Sequence, residues 1–360
     1  MKPFGMTDHI NQLLGLQRAI RDAQLSRISN LAVPDGVQQL MRTVKRTMAA
    51  ATVMENVKQI TSVPIVQLIP SLDGIKESVE RSNKEIKNFS EILLRAGYPP
   101  TLSVDIREGR ELGSAFGEYL EKDSETLEVL VSKVDYMMTE KLFRPQVIDM
   151  LKHSWERSSA LKGRTQLTRQ ALTAHNWGLY ALTVPSLLTQ LEGVVAQSFD
   201  HKEKLNTSQL KLLVNNLFSD DKNWLDFEKN AKKFYLDQIL NGDFRHGEQT
   251  RYETNRHAIA HGAALPDFFA KKEVSLKIIL MLDAILHGVD NLEEADIHKA
   301  KQKLKVLNRI KRIKKGRESK IGNFAVRRTK IAGFHAINES GIVVCQGEDY
   351  EVADYLFNKG

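Results

Sequence analysis

The chain has 360 residues, enough for two or three domains because single hydrophobic cores stop growing near ~250–300 residues, and its 42% hydrophobic and 27% charged content excludes wholesale disorder. One cysteine, Cys345, excludes an internal disulfide or a cysteine-built zinc site and predicts a reducing, cytoplasmic setting. The net charge of +7 is concentrated: residues 298–332 hold fourteen Lys and Arg against the single acid Glu318, a local +13 that leaves −6 for the remainder.

Residues 6–60 show apolar positions such as Ile10, Leu13 and Leu14 at helical spacing, broken at Pro34-Asp35-Gly36, which predicts two helices and a turn. An amphipathic helix is expected from Leu72 to Ala96, stopped by Gly97-Tyr98-Pro99-Pro100. Residues 101–143 read as a short extended piece and two further helices. Nothing in the first ~145 residues suggests a catalytic motif.

Pro145 opens a second helical region, with one helix through Trp155 and a longer one from Gln166 to Ser198. Trp177 and Tyr180, at helical spacing beside Leu187 and Leu191, read as core, although aromatic rings of this kind can also stack on bases. Shorter helices are expected at Asn206–Phe218 and Trp224–Gly242. A polar loop, Gly242 to Glu248, leads into Asn255-Arg256-His257-Ala258-Ile259-Ala260-His261-Gly262. The most apolar run follows, Leu276 to Leu286; it carries Lys277 and Asp283, falls short of the ~20 residues that span a bilayer, and reads as a buried helix with no membrane role.

Beyond the basic block, residues 333–345 predict strand, turn and strand, followed by a helix from Tyr350 to Phe357. The expected fold class is therefore mainly α with a small α+β appendage at the C-terminal end. Its divisions are a helical region at 1–145, a helical bundle at 146–297, a basic and largely helical segment at 298–332, and the appendage at 333–360.

The segment NRHAIAHG, set between a polar loop and an apolar helix, resembles the Arg-x(4–6)-His signature of the HEPN superfamily of helical ribonucleases and nucleotide-binding modules. The match is Arg256, four residues, then His261. It extends upstream to the run from Trp177 to Phe199, which resembles the helix that carries a polar or acidic residue towards the family's site; Gln190 and Glu192 occupy that role here. His257 stands where the family often has Asn or Asp. Three other Arg–His pairs have similar spacing, namely Arg169/His175, Arg251/His257 and Arg328/His335.

The resemblance implies a metal-independent, cofactor-free endoribonuclease of the kind found in toxin and antiviral defence systems. The family works as a homodimer, with RNA as substrate and an antitoxin or other regulatory protein as a further partner. An imidazole can move the proton of a ribose 2′-hydroxyl while a guanidinium offsets phosphate charge, leaving a 2′,3′-cyclic phosphate. His261 would be the acid or base, Arg256 the clamp, and Asn255, His257, Glu192 and Gln190 the supporting shell. Apolar faces around Leu187, Leu191, Leu276 and Leu280 are expected to supply the dimer contact. Backbone affinity would come from Lys301, Lys303, Lys305, Arg309, Lys311, Arg312, Lys314, Lys315 and Arg317.

Three plainer readings stand beside this. On an ideal helix Arg256 and His261 lie ~140° apart, so the helix must end or distort near Gly262 if they are to share a substrate. Arg256 could instead pair with an acid on a neighbouring helix while His261 caps a helix end, the basic block being only a solvated face. His257 and His261, at i and i+4, also suit a metal, with Asp243, His246 or Glu253 as third ligand, although Ala258 stands where a zinc-protease motif needs glutamate. Even without cleavage, a HEPN-like module that binds RNA or protein remains the alternative function.

Overall fold

A computed structural model describes residues 70–117, 125–219, 226–240, 251–329 and 333–359. The helices expected within 6–60 and the polar loop with Arg245 and His246 lie outside them. The chain divides into two units, Met1–Pro70 and Ser71–Gly360, and the described elements form the second. That unit is mainly α: α1 (Pro70–Arg95), α2 (Ile106–Gly117), α3 (Glu125–Tyr136) running on into a π-helical turn (Met137–Leu142), α4 (Pro145–Arg157), α5 (Thr165–Asn176), α6 (Tyr180–Ser198) and α7 (Thr207–Leu217). Next come α8 (Phe227–Phe234) with a second π-helical turn (Tyr235–Leu240), α9 (Arg256–Ala260), α10 (Pro266–Phe269), α11 (Lys272–Asp290), α12 (Glu294–Lys311), four strands, and α13 (Asp349–Lys359). Among the described helices none is long and apolar enough to cross a membrane.

The central element is α11, whose apolar side chains from Val274 to Leu286 are almost all buried. It packs chiefly on α6 and also meets α5, α7 and α8. Three polar residues interrupt its apolar run, and each tethers an earlier segment, as burial requires of polar groups. Ser275 meets Nδ1 of His175 at 2.7 Å. Asp283 accepts hydrogen bonds from Ser103 Oγ at 2.6 Å and Trp155 Nε1 at 2.9 Å. Lys277 lies over the ring of Tyr98, whose hydroxyl donates to Asp135 at 2.8 Å.

His175 is 4% exposed, and burial, with the charge of Lys272 adding to it, lowers its pKa to about 4. The folded chain thus keeps this imidazole neutral over a range where an unfolded chain protonates it, near ~6.5. Its contribution to stability is complete above that value, declines as pH falls towards 4, and is flat below; at most ~3 kcal/mol is lost. Burial also depresses His287, so His175→Gln should reduce the acid slope of stability without removing it. Urea titrations from pH 7 to pH 4 would expose an error if both proteins lost stability in parallel.

Several expectations need correction. The helix expected from Gln166 to Ser198 is two helices, α5 and α6, which pack on each other across a turn at Trp177–Leu179. Gly178 sits there at φ +76°, a left-handed conformation that costs glycine little and breaks a helix. Trp177, expected in the core, is on this turn and 75% exposed; Leu179 and Leu182 beside it are exposed too. In addition, Leu187, Leu191, Leu276 and Leu280, expected to face a second copy, are fully buried within one chain. The surplus apolar surface inferred for them is used internally.

The C-terminal sheet is antiparallel in the order β1 (Glu318–Ile321), β2 (Phe324–Arg328), β3 (Phe334–Ile337), β4 (Val343–Gly347). Its first two strands come from the basic segment, which is helical only as far as Lys311. They are joined by the two-residue turn Gly322-Asn323, with Ile321 opposite Phe324. Val326 pairs with Ala336, both fully buried, and α13 covers β3 and β4. Acids at the start of α13 then fasten the appendage to the bundle: Glu348 accepts two hydrogen bonds from the buried Lys211 at 2.9 Å, and Asp349 accepts one from Ser208 at 3.0 Å.

Candidate active site

The Arg256–His261 segment is shaped by caps at both ends. Asn255, 2% exposed, accepts a hydrogen bond from the Ala258 amide at 3.1 Å and starts α9 as its N-cap. Thr254 Oγ1 donates to the Gln238 carbonyl at 3.1 Å and anchors the approach to the second π-helical turn. At the far end Gly262 takes φ +67°, with its amide on Ile259 O at 3.1 Å and the Ala263 amide on Ala258 O at 2.8 Å. That is a Schellman closure. It ends the helix where the spacing of Arg256 and His261 requires an ending, and leaves His261 as the C-cap residue.

α9 packs against α6 and the second π-helical turn. Arg256 Nη1 forms an ion pair with Glu192 Oε2 of α6, both side chains being about three-quarters buried. The rings of His257 and His261 lie nearly parallel, 8° apart in orientation with centroids 6.3 Å apart. His257 is half-buried and its pKa is lowered, first by burial and then by the charges of Arg256 and His261, which favours the neutral imidazole. His261 is exposed at the rim.

These groups line one cavity of about 400 Å³. The rest of its lining comes from the segment before α7 and that helix's first turn: Lys204, Leu205, Asn206, Thr207 and Leu210. Asn206 and Gln209 form a reciprocal capping box there, and Lys311 of α12 donates to Asn206 Oδ1 at 2.5 Å. The C-terminal part of the basic segment therefore begins beside the cavity. Near Arg256, Tyr235 is fully buried, its hydroxyl has no hydrogen-bond partner among the described residues, and burial raises its pKa against the opposing charge of Arg256.

Of the expected supporting residues, Glu192 and His257 reach the cavity. Asn255 lies behind it as a cap, and Gln190 instead accepts a hydrogen bond from Arg164 at 2.6 Å. Glu253, a conceivable metal ligand, is paired with Lys271 at 2.5 Å, and the other two, Asp243 and His246, lie outside the described residues. Among the described residues no three His, Cys, Asp or Glu side chains gather as a metal site. None of the arginines of the competing Arg–His pairs lines this cavity: Arg169 is bound to Glu156, with its partner His175 interior, Arg251 lies over the Tyr252 ring, and Arg328 over that of Phe334.

The nine basic residues expected to hold a polyanion divide into two groups. Lys303 is interior and paired with Asp354, Lys301 is paired with Asp200 at 3.0 Å, and Lys311 is engaged by Asn206 and, at 3.8 Å, by Asp349. Lys305, Arg309, Arg312, Lys314, Lys315 and Arg317 are exposed and have no acidic partner among the described residues. The sequence reading missed Lys204, Asn206 and Tyr235. Only the Asn206-x-x-Gln209 spacing carried a local signal, and it marks a helix start. No protein-family model, curated protein or solved structure matches the chain.

Proposed function

We propose that this protein is a HEPN-type, metal-independent endoribonuclease acting at the Arg256/His261 cavity. The observation that carries this reading is the convergence of Arg256, His257 and His261 on one cavity of about 400 Å³, a volume suited to a small group such as a nucleotide. His261, at the accessible rim, exchanges a proton with the ribose 2′-hydroxyl or the leaving oxygen. Arg256 has five donors, and Glu192 holds only part of the fork, so the rest faces charge developing on the phosphorus oxygens. His257, kept neutral, orients its parallel neighbour. The exposed cations from Lys305 to Arg317 give sequence-independent affinity for the RNA backbone. A role in toxin or antiviral systems, a regulatory protein partner and a homodimer follow from the same reading; with the buried leucines unavailable, the exposed Trp177, Leu179 and Leu182 are one apolar surface that could meet a second copy.

One observation favours a second reading, a non-catalytic HEPN-like module that binds RNA or protein. The Arg256–Glu192 ion pair and the C-cap position of His261 are what a purely structural Arg and His would also show. Incubation of the purified protein with total RNA and tRNA, with and without EDTA, separates the two. Cleavage undiminished by the chelator is expected. Activity lost in EDTA and restored by zinc would move the chemistry to a His257/His261 metal site, and stable binding without cleavage would select the second reading.

A further inference from the structure

We propose that Lys204 is the cation that seats the substrate phosphate in the cavity before the reaction, leaving Arg256 for the transition state. This rests on the ribonuclease reading for the identity of the anion and for the role left to Arg256, while the phosphate-binding role of Lys204 stands apart from it. The cavity lining carries two cations, Lys204 and Arg256, and one carboxylate, Glu192, a charge of +1 from these three groups. Arg256 and Glu192 are bound to each other, so their fields largely cancel at the distance of an approaching phosphate. Lys204 belongs to the same lining and is exposed and without an acidic partner among the described residues. Without it the other two charges sum to zero.

Position supports the same assignment. Lys204 lies two residues before Asn206, which Lys311 contacts, so the part of the lining that carries it touches the helix on which the exposed cations Lys305 and Arg309 stand. The first turn of α7 lies in the same part of the lining and adds its positive end. A flexible ammonium holds phosphate as a point charge, whereas a planar guanidinium fixed by Glu192 offers directed donors. The two cations therefore divide ground-state binding and transition-state stabilisation between them.

The test uses a fluorescent single-stranded oligoribonucleotide with every ribose 2′-O-methylated, which binds but cannot be cleaved through a 2′-hydroxyl. Lys202, exposed on the same loop but outside the cavity lining, is the matched control. Lys204→Gln should weaken binding about five- to tenfold and lower the slope of log affinity against log salt by about 0.7, with Lys204→Arg restoring most of the affinity. Lys202→Gln should do much less. Equal effects of the two Gln variants, or no binding by the unaltered protein, overturn the proposal. Binding is read without turnover, so a protein that never cleaves RNA but shows the Lys204-specific loss refutes the ribonuclease reading, and with it the transition-state role of Arg256, and leaves the phosphate-binding role of Lys204 standing. On cleavable RNA, Lys204→Gln should raise KM with kcat nearly unchanged.

Discussion

His261→Ala is expected to lower RNA cleavage by roughly 10²–10⁴-fold, the usual contribution of a positioned proton-transfer group. The protein should keep its melting temperature, because His261 is exposed and closes α9 through its backbone, leaving its ring outside the core. Arg256→Ala should cost a comparable ~10²–10³-fold, mainly in kcat, by removing donors that act on developing charge. It also leaves Glu192 in the cavity without its counter-charge, so a modest loss of RNA affinity accompanies the loss of turnover. Arg256→Lys should rescue little, since a lysine cannot both satisfy Glu192 and present a planar fork. Steady-state kinetics with thermal melts would expose an error here: cleavage retained by His261→Ala removes this motif from the chemistry and makes Arg251 with His257 the next pair to test.

The second large effect concerns the core. Leu280→Ala should destabilise the fold by about 2–5 kcal/mol, because Leu280 is fully buried at the centre of α11 and truncation leaves a cavity. In a unit of this size that corresponds to a melting temperature lower by roughly 5–15 °C. The drop should not depend on protein concentration, since the leucine's contacts lie within one chain. Melts at several concentrations decide the point; an unchanged melting temperature with altered self-association would place Leu280 between copies.

Much of the helical framework was readable because it depends on local pattern. The apolar run of α11 and the Gly97-Tyr98-Pro99-Pro100 stop after α1 needed no knowledge of neighbours. Likewise Gly262 was legible as the place where α9 must end. The break at Gly178 was overlooked because apolar periodicity continues on both sides of it and only one residue signals the turn. Strands β1 and β2 were hidden by charge: Lys320 and Arg327 alternate with Ile321 and Val326, but the density of Lys and Arg masked the period of two. Even Lys303, indistinguishable in sequence from its exposed neighbours, is interior because Asp354, fifty-one residues later, folds back onto it. The rest of the cavity lining posed the same difficulty, since Lys204 and Asn206 lie about fifty residues before Arg256 and only tertiary packing joins them.

The chemistry of the cut ends tests the central claim most directly. Purified protein is incubated with RNA in EDTA, beside His261→Ala, and the termini are mapped with and without removal of cyclic phosphates. Attack by a neighbouring 2′-hydroxyl under Arg256 and His261 predicts 2′,3′-cyclic phosphate and 5′-hydroxyl ends that appear with the unaltered protein and not with the variant. Termini bearing 3′-hydroxyl and 5′-phosphate, or the same ends at the same rate from His261→Ala, would contradict it.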